Sequence, residues 1–298
     1  MLHSPVSATE KRERLRRRLA TPGITVWPGA FNALSAMLIE RHGYDGVYVS
    51  GAVVAADLGL PDVGLTTLSE VATRSAQIAR VTALPTIVDA DTGFGEPMNA
   101  ARAVQVLEDA GVAGLHLEDQ VNPKRCGHLD GKQVVDLDTA LRRLRAAVSA
   151  RRDPNLLLIA RTDARAVEGL DAAVARARAY VDAGADAIFP EALLDQGEFE
   201  RLRAAVTVPI LANMTEFGRG ATLRVDQLRD VGVNLVIFPV SLLRLAMGAA
   251  NRALATLRRE GTLAGVLGEM QTREELYDLL DYASFTEFDQ SVFNFRSK

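Results

Sequence analysis

One unit recurs along this chain: a short apolar run, a turn, then a stretch rich in Ala, Leu and Arg. Eight such runs stand out, at residues 24–27, 46–49, 85–89, 114–118, 156–160, 187–190, 208–212 and 235–238. They show little alternation, which suits parallel strands buried on both faces. Between them the spacing changes to a helical one. Within residues 99–110, Ala103, Val104, Leu107 and Ala110 share one face, and residues 137–150 and 171–183 are similar. Ala110-Gly111, Ala183-Gly184 and Val231-Gly232 mark helix ends, where glycine supplies the left-handed turn. Eight β-then-α units in 298 residues predict an α/β fold: a single (β/α)8 TIM barrel spanning residues 1–298. The competing arrangement is an open doubly wound sheet. No Gly-x-Gly-x-x-Gly turn follows the first run, which counts against it. Past the eighth run, residues 241–260 read as one long helix, and a polar helical tail continues to Tyr282. Residues 241–298 therefore form a C-terminal helical extension beyond what one barrel needs, and they predict an oligomer.

Charge and composition exclude several roles. Lys+Arg number 34 against 38 Asp+Glu, a formal net charge of −4, so no global attraction to nucleic acid is expected. Hydrophobic residues make up 48%, too many for a disordered chain. No run is long and apolar enough for a membrane span, so no membrane partner is expected. The basic stretch from Lys11 to Arg18 includes Glu13 and follows Glu10, and reads as a solvated helix face. The single cysteine, Cys126, excludes an intramolecular disulfide and fits a reducing, cytoplasmic setting.

Polar residues gather at one end of the predicted strands, the carboxyl end, where barrels of this type place their chemistry. Asp89 and Asp91 are two apart and would share a face of an extended strand, and Glu118 ends the next one. Three crowded carboxylates repel and raise one another's pKa, and a divalent cation relieves this. All-oxygen ligation suits Mg2+, or Mn2+, over zinc. The plainer reading, one aspartate capping a turn and the others solvated, serves a single Asp better than three. Cys126 lies in the polar loop Lys124-Arg125-Cys126-Gly127-His128, whose cations would lower the thiol pKa. Those charges favour a catalytic acid or nucleophile over an inert core thiol. Arg161 ends an apolar run; it grips a carboxylate or phosphate, or pairs internally with Glu191 or Asp163. Ser50-Gly51 offers backbone donors for an anion. His116 reads as an interior hydrogen-bonded residue. These parts fit carbon–carbon bond cleavage or formation beside a carboxylate or keto acid, and they also fit phosphoryl chemistry.

Taken together, the motifs resemble the isocitrate lyase/phosphoenolpyruvate mutase superfamily over nearly the whole chain. The carriers are Ser50-Gly51, Gly59-Leu60-Pro61-Asp62, Asp89-Ala90-Asp91-Thr92-Gly93-Phe94-Gly95, His116-Leu117-Glu118-Asp119-Gln120, Arg161-Thr162-Asp163 and Asn213-Met214-Thr215-Glu216-Phe217-Gly218. The cysteine loop and the tail from Met270 to Tyr277 resemble the methylisocitrate lyase branch. The resemblance implies a barrel whose last helix is exchanged between subunits, in a homotetramer built from helix-swapped dimers. It implies cleavage of 2-methylisocitrate to pyruvate and succinate in the methylcitrate cycle of propionate breakdown. The implied substrate is a small tricarboxylate or 2-substituted malate. Asp89 and Asp91 would hold Mg2+ directly or through water, with Glu118 in the water shell. Ser50, Gly51 and Ala52 would hold the pyruvate half beside the metal. Arg161, with Tyr48 near it, would help take the hydroxyl proton, and Cys126 would protonate the succinate carbanion. His128 would join this catalytic set. Gly127, His128, Glu191, Asn213, Thr215, Arg244 and Arg273 would bind substrate carboxylates or orient the groups that do.

Three departures bear on substrate identity. Ala52 stands where many members have Gly, Asp57 where a small or neutral residue is expected, and Arg219-Gly220-Ala221-Thr222 lacks a Thr-Pro step. The alternatives are a 2,3-dimethylmalate lyase, an oxaloacetate decarboxylase, a carboxyphosphonoenolpyruvate-type phosphonomutase and a non-catalytic paralogue.

Overall fold

The computed structural model describes residues 4–127, 131–220 and 222–293. Eight strands form: β1 Thr25–Pro28, β2 Val47–Val49, β3 Thr86–Asp89, β4 Gly114–Glu118, β5 Leu157–Thr162, β6 Ala187–Pro190, β7 Leu211–Asn213 and β8 Leu235–Phe238. All ladders are parallel. One arc runs β2-β3-β4-β5-β6 and the other β1-β8-β7. Single parallel bridges, Gly29 to Tyr48 and Ile188 to Ile210, join the arcs into a closed ring. Each predicted strand is present. β7 starts later than expected because Pro209 has no N–H to give to a ladder. β5 runs on through Thr162, so Arg161 is a strand residue facing the ring's end.

The helices are α1 Ala8–Leu19, α2 Ala33–Arg41, α3 Gly51–Asp57, α4 Leu68–Ala79, α5 Pro97–Asp109, α6 Leu137–Ala150 and α7 Ala164–Val167. They continue with α8 Leu170–Asp182, α9 Gln196–Ala205, α10 Val225–Asp230, α11 Ser241–Glu260, α12 Arg273–Leu279 and α13 Tyr282–Phe293. Two apolar layers lie between the ring and its helices, one around Val49, Val88 and Leu107, the other around Ala160, Ile188 and Val236. A third cluster fills the lumen, with Trp27, Tyr48, Ile87, Leu157, Ile159, Phe189 and Ile237. The lumen is packed tightly. A Cβ on Gly46 would sit 2.1 Å from the Trp27 ring, and one on Gly29 would sit 1.9 Å from the Pro239 carbonyl oxygen.

The basic stretch is not a solvated face. α1 seals the amino end of the ring: Leu15 joins the lumen cluster, and Lys11 and Arg12 are buried. Lys11 donates to the Ala79 carbonyl at 2.7 Å. Arg12 donates to the Val112 and Glu108 carbonyls at 2.9 and 2.7 Å and to Asp153 at 3.0 Å. Carbonyls left over where helices and loops end beneath the barrel are natural partners for long cationic side chains.

The other end of the chain behaves differently. Among the described residues, α11 to α13 bury only Leu279. α11 exposes Leu245, Met247 and Leu254, and α13 exposes Tyr282, Phe288 and Phe293. α11 and α13 thus leave much of their apolar surface uncovered, while the start of α11 is held to the barrel by Leu242 and by the bonds of Ser241 and Arg244 to Glu216. No helix of the described residues is long and apolar enough to cross a membrane.

Candidate active site

The carboxyl ends of the strands surround a cavity of about 230 Å³. Tyr48 and Ser50 reach it from β2 and its end, Ala52 from α3, Asp89 from β3, and Arg161 from β5. Glu191, Asn213, Thr215 and Arg244 line it from the far side, and Cys126 and Gly127 complete it from the loop after β4. Eleven of the expected residues therefore meet in one place. Gly51, Asp91 and Glu118 do not line it but lie beside lining residues, Gly51 and Asp91 next to Asp89 and Glu118 next to Arg161. Arg273 is exposed on α12 and does not line the cavity, and His128 lies outside the described residues.

Arg161 anchors the floor. Its Nε lies 2.9 Å from Asp163 and 3.2 Å from Glu118, and its Nη2 lies 3.2 Å from Glu191. The guanidinium also lies over the Phe189 ring, 5.0 Å from its centroid. Burial works against the charge, but Asp163, Glu118 and Glu191 outweigh it and hold Arg161 protonated. Both internal partners considered for Arg161 are present at once. Asn213 donates to Glu191 at 3.3 Å, and Arg244 donates to Thr215 at 3.2 Å and to the Glu216 carbonyl at 2.7 Å.

Below this layer Tyr48 and His116 form a buried pair. The Tyr48 hydroxyl lies 2.8 Å from His116 Nε2, and the rings stack with centroids 5.9 Å apart. His116 Nδ1 faces Asp89 at 3.6 Å. Burial pushes the imidazole pKa down to about 4, so it is neutral at pH 7, and pushes the Tyr48 hydroxyl up. His116 is the interior hydrogen-bonded residue expected, and its partner Tyr48 lines the cavity. The position of His116 in β4 beside Asp89 is the signal that sequence reading undervalued.

The acidic group departs from expectation in geometry. Asp91 does not continue the strand; its φ is 46°, a left-handed conformation that aspartate tolerates. Asp89 consequently faces the cavity, while Asp91 turns to an adjoining space of about 660 Å³. Both carboxylates still bracket Gly51, whose Cβ would lie 3.0 Å from Asp89 and 3.1 Å from Asp91. The Gly51 amide donates to Asp89 at 3.2 Å, so it serves this carboxylate before any ligand. Lys124 does not sit beside the thiol as a free cation. It is buried, 2.5 Å from Asp62 and 2.7 Å from Asp91. Asp57 pairs with Arg74 at 2.5 Å on α3's exposed side and does not line the cavity.

Among the described residues, no three acidic, His or Cys side chains close into a ready-made ligand cage. The fit is to a hydrated ion held by one or two carboxylates, which is the habit of Mg2+. Glu118 Oε1 is buried with no hydrogen-bond partner, and Asp91 Oδ1 and Glu118 Oε2 are buried against the cations Lys124, at 2.7 Å, and Arg161, at 3.2 Å. Burial raises Asp91 to about 6 and Glu118 well above its usual value, despite the cations nearby. Asp89 is pulled below its ordinary value, since His116, Lys124 and Arg161 outweigh its burial. An unpartnered buried acceptor such as Glu118 Oε1, close to an ionised carboxylate, is what the water shell of a divalent cation satisfies.

Residues 15–258 match the phosphoenolpyruvate phosphomutase family. The chain belongs to that family. A protein of Corynebacterium glutamicum named probable 2-methylisocitrate lyase 2 is 59% identical over 295 residues, covering 99% of this chain and 96% of that one. The 2-methylisocitrate lyase of Aeropyrum pernix is 47% identical over 278 residues, covering 93% and 90%. Within the family's solved structures, a 2,3-dimethylmalate lyase superposes with a TM-score of 0.89 at 35% identity, covering 97% and 96%. The family match spans the strands and loops that build the cavity, which accounts for the motifs seen at their carboxyl ends.

Proposed function

We propose that the protein is a carbon–carbon lyase that cleaves 2-methylisocitrate to pyruvate and succinate with Mg2+, or Mn2+, at Asp89 and Asp91. The observation that carries this is the meeting of Cys126, Tyr48, Arg161 and Asp89 around one small cavity. The similarity to proteins named 2-methylisocitrate lyase supports the choice of substrate. Asp89 and Asp91 would hold the ion, with Glu118 reached through water; bound there, it would polarise the hydroxyl and carboxylate of the pyruvate half. Arg161 is locked as a cation, so it stabilises the developing alkoxide and does not act as the base. Tyr48 accepts the substrate's hydroxyl proton while passing its own to neutral His116. The carbon–carbon bond breaks, the alkoxide becomes the pyruvate carbonyl, and the electron pair moves to the succinate carbon. Cys126 gives that carbon its proton and is left as thiolate. Ser50, Ala52, Gly127, Asn213, Thr215 and Arg244 bound the cavity around the substrate carboxylates. His128 and Arg273 complete the set, Arg273 from a neighbouring subunit. The exposed apolar faces of α11 and α13 support association between chains, which we read as a homotetramer of helix-swapped dimers acting in the cytoplasm.

The test is pyruvate release from 2-methylisocitrate with Mg2+ and with excess chelator, alongside isocitrate, 2,3-dimethylmalate and oxaloacetate. Chelator-sensitive release, fastest with 2-methylisocitrate, is expected. Turnover of another acid alone would move the specificity to Ala52. Silence on all four would favour the phosphonomutase.

A further inference from the structure

Cys126 is bracketed by two clamps on the backbone of its neighbours. On one side the Gln120 amide holds Arg125 twice, accepting from its N–H at 3.0 Å and donating to its carbonyl at 2.9 Å. On the other, the Lys132 ammonium donates to the Gly127 carbonyl and to Asp163 at 2.9 Å. The loop's neck is an antiparallel pair, with Val121 donating to Gln133 at 2.9 Å and Val135 to Asp119 at 2.8 Å. Lys132 is buried, and Asp163 is wholly so. Asp163 is the same carboxylate that fixes Arg161 at 2.9 Å. Gly127 lies so close to this group that a Cβ would come 2.4 Å from Arg161 Nη2 and 2.6 Å from Glu191.

Burying an ammonium is unfavourable unless it is fully paired, and an apolar side chain would often serve stability as well. What the charge adds is geometry. We infer that Lys132 is a positioning residue: through Asp163 it registers the Cys126 backbone against Arg161, the floor of the cavity. This deepens the lyase reading and rests on Cys126 being the acid.

The chain's single cysteine makes the test site-specific. Wild type, Lys132→Met and Lys132→Arg are compared by the rate of iodoacetamide alkylation, by kcat and by melting curves. Lys132→Met should alkylate about tenfold faster or more, the effect of losing a charge-assisted hydrogen bond, with kcat falling by a similar factor. Removing a cation alone would leave less thiolate and slow alkylation, so acceleration reports access. Lys132→Arg keeps the charge but cannot seat a compact ammonium on both acceptors, and should fall between; it also serves if Lys132→Met does not fold. A folded Lys132 variant whose thiol reacts at the wild-type rate overturns the inference. Full turnover by Cys126→Ser would instead remove the acid role, and the alkylation comparison would still decide the role of Lys132.

Discussion

At the scale of residues, the chemistry is divided between groups the sequence advertises and groups it conceals. Cys126, Asp89 and Arg161 are legible because each is a reactive or charged side chain in a setting that otherwise has no use for one. Replacing Cys126 by Ser should lower turnover by about 10²–10⁴, the usual worth of a positioned acid, and leave metal binding intact, which calorimetry with Mg2+ would check. Unchanged kcat would remove the acid role. Lys124, His116 and Lys132 are less legible. Their partners Asp91, Tyr48 and Asp163 are 33, 68 and 31 residues away, and no local pattern encodes such pairings. The turn at Asp91 is equally hidden. Two aspartates spaced by two imply a shared face, and only a left-handed φ of 46° at the second separates them into different spaces.

Strands were the readable elements and the first helix was not. A strand buried on both faces leaves a continuous apolar run, and eight such runs, each followed by a helical stretch, made the barrel readable. α1 carries its burial on charged side chains, so its pattern imitates a surface. The tight lumen yields a prediction at this scale. Gly46→Ala would drive a methyl into the Trp27 ring, 2.1 Å from the ideal Cβ, and overpacking of that kind costs about 1–3 kcal/mol. Trp27 is the only tryptophan, so urea titration followed by its fluorescence reads the site directly. An unchanged midpoint and emission maximum would mean the ring has room to move.

For the whole molecule, two contrasting ends follow from the same chain. The tail leaves its apolar surface uncovered, and light scattering should return four chains per particle; a stable monomer would contradict the swapped-dimer reading. The sealed end predicts a pH response. Burial works to raise the Asp153 carboxyl, but the Asn155 amide and the Arg12 guanidinium outweigh it and hold the group below its usual range. Its stabilisation is complete above the unfolded pKa of about 4 and fades as pH falls through the folded value. Asp153→Asn should therefore lower stability by about 1–3 kcal/mol at pH 7, and the gap from wild type should narrow as pH falls below the unfolded pKa of about 4. A gap that persists in acid would assign the effect to packing. The seal also sets an order of events in synthesis. Arg12 cannot complete its bonds until Asp153, 141 residues later, has left the ribosome. At ordinary elongation rates that is a wait on the order of ten seconds, during which a helix bearing Leu15 on its inner face has no barrel to close. α1 is made well before the barrel it closes, and the nascent chain spends that interval with its stopper in hand.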